Sequence, residues 1–388
     1  MNRTKKLLAV MTFLSSFTTG ALAMVIGSEI GELIQLYNKP LETVVFFSSA
    51  MSLGRIIACT FVNKIVNKIG AVKGLLLGNI CSAAQILLLT IVPNYYLGMV
   101  FAFLGGVGMA LNDNSSPVIV GYVFPDKYSS MLSAGQTMYC FGNFAITLLL
   151  SLFLKINVNY YFANVICSIA ILITVICGII CFSVDTKSES EEESIQPIYT
   201  KRPRMTVVIT ALGSFTYCAV CCCIGLYTTQ YLESIGFSTF DSSFLLSIYS
   251  IGSTIGSVLF IFILRKISER VVFIVNACIS LLSMLLALLI NTYTSYLIGL
   301  FVAGVFLGVI FALVLAIATR VYYKKPTEAS SLVGIAGGLG DICIPLITSN
   351  ILTTRGIGAV YKTSIFFLML TLCVAVSVFL LTKEKKDA

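Results

Sequence analysis

Residues 293–318 read YTSYLIGLFVAGVFLGVIFALVLAIA, a run without a single charged side chain. A helix rises 1.5 Å per residue, so about 20 apolar residues cross the ~30 Å hydrocarbon core of a bilayer. The stretch predicts a membrane-spanning helix, because a helix satisfies every backbone polar group within one segment. Residues 95–120 read YYLGMVFAFLGGVGMALNDNSSPVIV and begin alike, with Tyr96-Leu97 standing as Tyr296-Leu297 stands in the later run. Further apolar runs lie near Leu7 to Gly27, Leu41 to Val62, Ala71 to Ile91, Ser129 to Leu154 and Tyr160 to Phe182 in the first half. Those of the second half lie near Met205 to Thr229, Ser243 to Leu264, Val271 to Ile290, Ala329 to Leu352 and Val360 to Leu381. Together they predict an all-α membrane protein with twelve transmembrane helices in two groups of six.

Composition agrees. Hydrophobic residues make up 58% of the chain and charged ones 11%, with mean hydropathy +0.98; a soluble domain has about 25% charged residues. Tryptophan and histidine are absent, which leaves the 18 tyrosines for the membrane interfaces. Any pH-linked step must then use carboxylates, because no side chain with an ordinary pKa of about 6.5 is present. The thirteen cysteines, Cys221-Cys222-Cys223 among them, sit in apolar stretches without metal-ligand spacing. They read as small buried hydrophobes, so neither a metal nor a cofactor is implied.

The basic residues set the orientation. One set of alternate loops carries Arg3, Lys5, Lys6; Lys64, Lys68, Lys73; Lys127; Lys187, Lys201, Arg202, Arg204; Arg265, Lys266, Arg270; Arg320, Lys324, Lys325; and Lys383, Lys385, Lys386. The other set has only Lys39, Lys155, Arg355 and Lys362. Positive loops stay inside, so both termini are predicted to be cytoplasmic, and the net charge of +8 reflects topology, not nucleic-acid binding. Lys5, Lys6, the following apolar run and Ala21-Leu22-Ala23 imitate a cleaved secretory signal, but the run continues past that site and is expected to remain as the first span. A polar stretch with Glu189, Glu191, Glu192 and Glu193 ahead of Lys201, Arg202 and Arg204 reads as a solvated linker. The expected organisation is a bundle over residues 1–182, a charged cytoplasmic linker over 183–204 and a second bundle over 205–388.

The halves also resemble each other. Gly54 stands fourteen residues before Lys68, and Gly252 fourteen before Lys266. Asn67-Lys68-Ile69-Gly70 faces Arg265-Lys266-Ile267-Ser268, and Ser129-Ser130 opens the fifth span as Ser330-Ser331 opens the eleventh. Repeats of this kind underlie many transporter folds.

With these features the chain resembles the major facilitator superfamily over essentially its whole length. The family's loop between spans two and three carries a gating motif, and Asn67, Lys68, Gly70 and Lys73 stand at its positions. Asn67 replaces the motif's acidic residue and Asn63 its earlier glycine, a departure at the charged latch. A narrower resemblance, to the fucose permease-like branch with its proton-coupled sugar symporters, rests on Ser115-Ser116-Pro117, on Leu132 to Gln136, and on Gly337-Gly338 through Ile344-Pro345. Where fucose permeases place a glutamate five residues before the fourth-span proline, this chain has Asn112, with Asp113 beside it.

Three charges fall well inside the predicted spans: Arg55, Asp113 and Asp341. A charge at the bilayer centre costs about 2.5–3.5 kcal/mol on insertion scales, which makes each a candidate functional residue. Arg55 lies roughly 13 Å from the cytoplasmic end of span two at 1.5 Å per residue, and Asp113 at a similar depth in span four. Either they form a structural ion pair, or Arg55 grips an anionic or hydroxyl-bearing substrate while Asp113 exchanges a proton. Asp341, near the middle of span eleven with no basic residue at matching depth, is expected to be unpaired and is the first candidate for proton coupling. Ser16 and Thr19 in span one, Asn112 in span four, Gln136 and Asn143 in span five and Tyr217 in span seven are candidates to meet substrate; their convergence on a central cavity is what the family fold implies. Glu29, Glu32, Gln230 and Glu233 are expected to be solvated at the outer rim.

No phosphate-cradling loop, histidine constellation or sizeable soluble domain is present, which argues against an enzyme or an ATP-driven pump. The expectation is a secondary transporter of a cell (inner or plasma) membrane, monomeric and working by alternating access. Proton-coupled uptake of a sugar or similar small polar metabolite leads. Proton-antiport efflux, or organic-anion transport using Arg55, are the alternatives, and a non-transporting sensor or scaffold represents another class.

Overall fold

The computed structural model describes residues 3–124, 128–156, 158–184, 198–264, 266–323 and 326–382. Every regular element among them is a helix, and twelve helices are long and apolar enough to cross a membrane. They are span 1 (Arg3–Ser28), span 2 (Leu41–Val62), span 3 (Ala71–Leu88), span 4 (Tyr95–Val123), span 5 (Ala134–Lys155), span 6 (Tyr161–Ile180), span 7 (Pro203–Ser234), span 8 (Thr239–Ile263), span 9 (Glu269–Ile290), span 10 (Tyr293–Val321), span 11 (Ser331–Arg355) and span 12 (Ile357–Leu381). Most of the charged linker, and the loop charges Lys127, Lys187, Arg265, Lys324, Lys325, Lys383, Lys385 and Lys386, lie outside the described residues.

The outer surface is apolar. On span 6, Ile169, Leu172, Ile176 and Ile179 repeat every three or four residues and all are exposed, so one helical face is turned outward. In water such a stripe would be a liability, whereas against lipid tails it is what a spanning helix requires.

By its contacts the chain divides into two compact units, Met1–Ser190 with Leu232–Ser247, and Glu191–Tyr231 with Ile248–Ala388. Inside each unit, helices meet where glycine removes the side chain. In the first, a Cβ on Gly106 would overlap the Met51 carbonyl oxygen, one on Gly54 that of Phe103, and one on Gly142 that of Phe17. In the second, Gly304 meets Tyr249, Gly252 meets Phe301 and Gly340 meets Phe215 in the same way. Each residue of the second set stands 198 positions after its counterpart in the first. The repeat seen as scattered sequence pairs is thus a set of matched backbone contacts, of the small-residue kind that joins helices in lipid.

Three of the described spans depart from a plain helix, span 2 being interrupted at Val45 between Leu41–Val44 and Phe46–Ile69. Span 10, expected as one continuous run, stops after Leu307 and resumes at Ile310. Gly308 there packs against the Ser253 backbone and hydroxyl, where a side chain would not fit. Span 3 ends in a π-helical turn, Ala84–Leu88, a distortion frequent at functional sites.

Candidate functional site

The first unit contains a polar cavity of about 130 Å³, lined by Thr12, Ser16, Thr19, Asn112, Asp113, Ser116, Pro117, Val120, Met131, Gly135, Gln136 and Tyr139. Three spans supply it. Thr12, Ser16 and Thr19 share one face of span 1 by their three- and four-residue spacing; span 4 contributes Asn112 to Val120, and the helix Tyr128–Lys155 the rest. Six sequence candidates bear on this place: Ser16, Thr19, Asn112, Asp113 and Gln136 line it, and Arg55 reaches Asp113 from span 2.

Behind the cavity wall runs a buried hydrogen-bond network that sequence reasoning did not identify. Its centre is Asn79 on span 3, fully buried, whose Nδ2 donates to Ser15 Oγ at 2.7 Å, to the Leu75 carbonyl at 2.8 Å and to Asn112 Oδ1 at 3.4 Å. Thr18 donates to Asn79 Oδ1 at 3.3 Å, and Asn112 Nδ2 donates to Thr19 Oγ1 at 3.1 Å. Thr19 in turn donates to the Ser15 carbonyl at 2.8 Å. A buried amide left without partners costs about 1–3 kcal/mol, so this mutual satisfaction fixes the rotamers of the residues that face the cavity. A lone asparagine inside the apolar stretch 74–91 was the sequence signal for it.

Arg55 Nη2 donates to Asp113 Oδ2 at 2.7 Å, and the two side chains are 37% and 38% exposed. A pair this open contributes little to stability, on the order of 0–1 kcal/mol. Its chemical effect is to cancel a charge beside the cavity while leaving Asp113 reachable.

The remaining candidates are elsewhere. Asn143, 8% exposed with no partner for Oδ1, lies on span 5 away from the cavity lining. Tyr217, whose ring meets Phe311 at 6.4 Å, and Asp341 belong to the second unit. The expected unpaired state of Asp341 is corrected: the residue is half-buried and engaged by its surroundings, and its carbonyl lies 3.9 Å from Cys222 Sγ. At the gating-loop motif, Gly70 takes φ 91°, which glycine tolerates, between the helices Phe46–Ile69 and Ala71–Ala83. Lys68 is exposed and Lys73 Nζ sits 4.6 Å over the Phe182 ring; the side chain of Asn67 lies outside what is described. In the second unit Arg320 Nη1 donates to both carboxylate oxygens of Glu269 at 2.6 Å.

Two further expectations are corrected. The cysteines are all free but not uniformly buried, since Cys59 and Cys373 are exposed. Glu29, expected at a solvated rim, is 0% exposed, and burial holds its carboxyl well above the ordinary range. It falls on the stripe Leu22, Val25, Ile26, Ile30, Leu33, all buried, and that spacing puts it inside. Its neighbour Glu32 is half-buried and raised as well by desolvation.

Twelve apolar helices in two repeated units, with a polar cavity among the helices of one, define a membrane transporter rather than an enzyme. The chain belongs to the Major Facilitator Superfamily, whose model matches residues 8–340 and again 210–388. It is similar to the uncharacterized MFS-type transporter YfkL of Bacillus subtilis (strain 168), 23% identical over 366 residues and covering 90% of each chain. It is also similar to the inner membrane transport protein YdiN of Escherichia coli (strain K12), 23% identical over 385 residues, 96% of this chain and 90% of that one. The fold matches the crystal structure of a D-xylose-proton symporter with TM-score 0.77 at 12% identity, covering 99% of both chains. It matches a partially occluded, inward-open structure of the xylose transporter XylE from E. coli with TM-score 0.75 at 13% identity, over 98% of this chain and 100% of that one. The protein is a multi-pass integral membrane transporter of the cell (inner or plasma) membrane.

Proposed function

We propose that the protein takes up a small, neutral, polar solute, a sugar or a metabolite of similar hydroxyl content, by proton-coupled alternating access. The observation that carries this reading is the cavity of the first unit, where hydroxyls and amides from spans 1, 4 and 5 converge with their rotamers held by the Asn79 network. At about 130 Å³ it is a small cavity. That suits one face of a small polyol, whereas drug-sized ligands use pockets of roughly 300–1,000 Å³. Asp113 compensates Arg55, which favours a neutral solute over an organic anion. The symporter with a similar fold handles D-xylose with protons, which makes pentoses and hexoses the first compounds to try.

In this reading Asn112, Gln136, Ser16 and Thr19 bind the solute, and Asp113 and Asp341 are the coupling carboxylates. Asn143 and Tyr217 take the role of supporting wall residues. Both termini are cytoplasmic, and the bundles 1–182 and 205–388 are joined by the charged linker 183–204. The protein works as a monomer.

The test is thermal stabilisation of detergent-purified protein by sugars, organic anions and lipophilic cations. Stabilisation by one sugar class, lost in Asn112→Ala, supports the reading; stabilisation by diverse lipophilic compounds alone replaces it with efflux.

A further inference from the structure

One fully buried titratable group among the described residues takes no part in the cavity. Glu29 follows span 1 directly, its amide donating to the Val25 carbonyl at 3.0 Å and its carbonyl accepting from Leu33 at 2.9 Å. The side chain is 0% exposed, and neither carboxylate oxygen has a hydrogen-bond partner. Beside it on span 6 is Asn164, also 0% exposed, and there both Oδ1 and Nδ2 are without partners. Below the pair lies an apolar cluster that includes Leu22, Val25, Ile86, Ala163 and Cys167. Four buried polar atoms in one place, with no partner beyond each other, are a rare arrangement, because native interiors pair nearly all such groups.

The titratable groups facing Glu29 are Glu32 in the helix that follows it, Tyr160 at the head of span 6 and Cys167 within span 6. Each of them becomes negative on ionisation, and no cation is among them. A carboxylate anion here would be both dehydrated and repelled, and a group in that position neutralises instead. A carboxylic acid and a primary amide complement each other: the acid has one donor and one acceptor, and so does the near edge of the amide. One acid–amide pair would therefore satisfy the buried oxygens and the amide together, which the anion cannot do, since Asn164 Oδ1 would then face negative charge.

We propose that Glu29 and Asn164 form a proton-binding site, in which the carboxylic acid of Glu29 donates to Asn164 Oδ1 and accepts from Asn164 Nδ2, and which releases its proton to water only when water reaches the end of span 1. Release leaves a carboxylate and a hydrated proton, and reburial requires the proton to return. The site thus ties one proton to the opening and closing of this end of the first unit, whichever solute occupies the cavity. The proposal extends the proton-coupled reading above, but its test needs no solute, so a failure of the sugar assignment leaves it standing and its own failure leaves the sugar assay open.

The experiment is infrared difference spectroscopy of the purified full chain in lipid nanodiscs across pH, with wild type, Glu29→Gln and Asn164→Ala. The expected result is a protonated-carboxyl stretch at neutral pH that vanishes in Glu29→Gln, fades reversibly as pH is raised, and persists but shifts in Asn164→Ala, where the hydrogen-bond partner is gone. Thermal melts provide the second readout. With the folded value raised above 4.5, the stability that Glu29 contributes is full below that pH and is lost as pH climbs through the folded value. Wild type should therefore lose stability toward alkaline pH more steeply than Glu29→Gln, whose amide stands in for the acid. Identical neutral-pH spectra for wild type and Glu29→Gln would overturn the proposal, as would a band insensitive to pH up to unfolding or unshifted in Asn164→Ala. Stabilisation by sodium chloride over choline chloride that disappears in Glu29→Gln would overturn it in favour of a sodium site. Should Glu29→Gln fail to fold, the Asn164→Ala shift and the pH dependence of the wild-type band decide alone.

Discussion

At Gly106 and Gly304 the same glycine lets the same pair of helices touch, yet a turn or two from each contact the two units diverge. Arg55 and Asp113 of the first unit correspond, 198 positions on, to Ser253 and Phe311; Asn79 and Asn112 correspond to Ala277 and Ile310. Thr19, which accepts from Asn112, corresponds to Tyr217, which packs its ring against Phe311. Asn143 corresponds to Asp341. The scaffold is duplicated and these positions are not: one unit carries a hydrogen-bonding surface with a compensated charge, the other, at the matching positions, the Tyr217–Phe311 ring contact and Asp341. Backbone contacts tolerate no side chain and so persist through a repeat, whereas the residues facing the middle are free to specialise.

Four outcomes sharpen or break this comparison. The largest concerns the shared scaffold. Gly106→Leu and Gly304→Leu should each cost about 3 kcal/mol or more, since overpacking against a carbonyl has no flexible neighbour to displace. Both variants should lose their monodisperse peak in size-exclusion chromatography, and a well-behaved variant in either unit would mean that the contacts are not equivalent. Next, Asn79→Ala should lower stability by about 1–3 kcal/mol by stranding Ser15 and Asn112, while Ile310→Val, at the counterpart of Asn112, should cost about 0.5–1.5 kcal/mol; thermal melts in one detergent compare them. Third, Asp113→Ala should change stability by at most about 1 kcal/mol, because the pair is open to solvent, yet abolish solute-dependent stabilisation. Adding Arg55→Ala should not restore it; restoration would make the ion pair purely structural. The smallest structural effect belongs to Asp341→Asn, which should melt like wild type but lose pH-driven accumulation in proteoliposomes, and unchanged accumulation would remove Asp341 from coupling.

The spans were legible because length and apolarity decide whether a helix can cross a bilayer, and neither needs tertiary information. The cavity was legible in part: Ser16, Thr19, Asn112, Asp113 and Gln136 stood out as polar groups in apolar runs, and the matched depth of Arg55 and Asp113 made an ion pair one of two open readings. Asn79 was hidden because its partners lie on two other helices, and one asparagine in a span carries no mark of which way it faces. Glu29 was misread for a related reason. Nearness to a span end suggested water, while the helical spacing from Val25 through Leu33 continued the buried stripe across it. The gap in span 10 after Leu307 left no sequence trace either, because the residues through it stay apolar.

The two exposed cysteines, Cys59 on the helix of span 2 and Cys373 on span 12, fall one in each unit. The chain therefore carries its own pair of attachment points for spin labels or fluorophores, on exposed thiols that maleimides reach faster than buried ones such as Cys140 or Cys223. Labelling the wild-type chain thus places one probe on each unit, with no engineered residue to disturb the glycine contacts on which each unit depends.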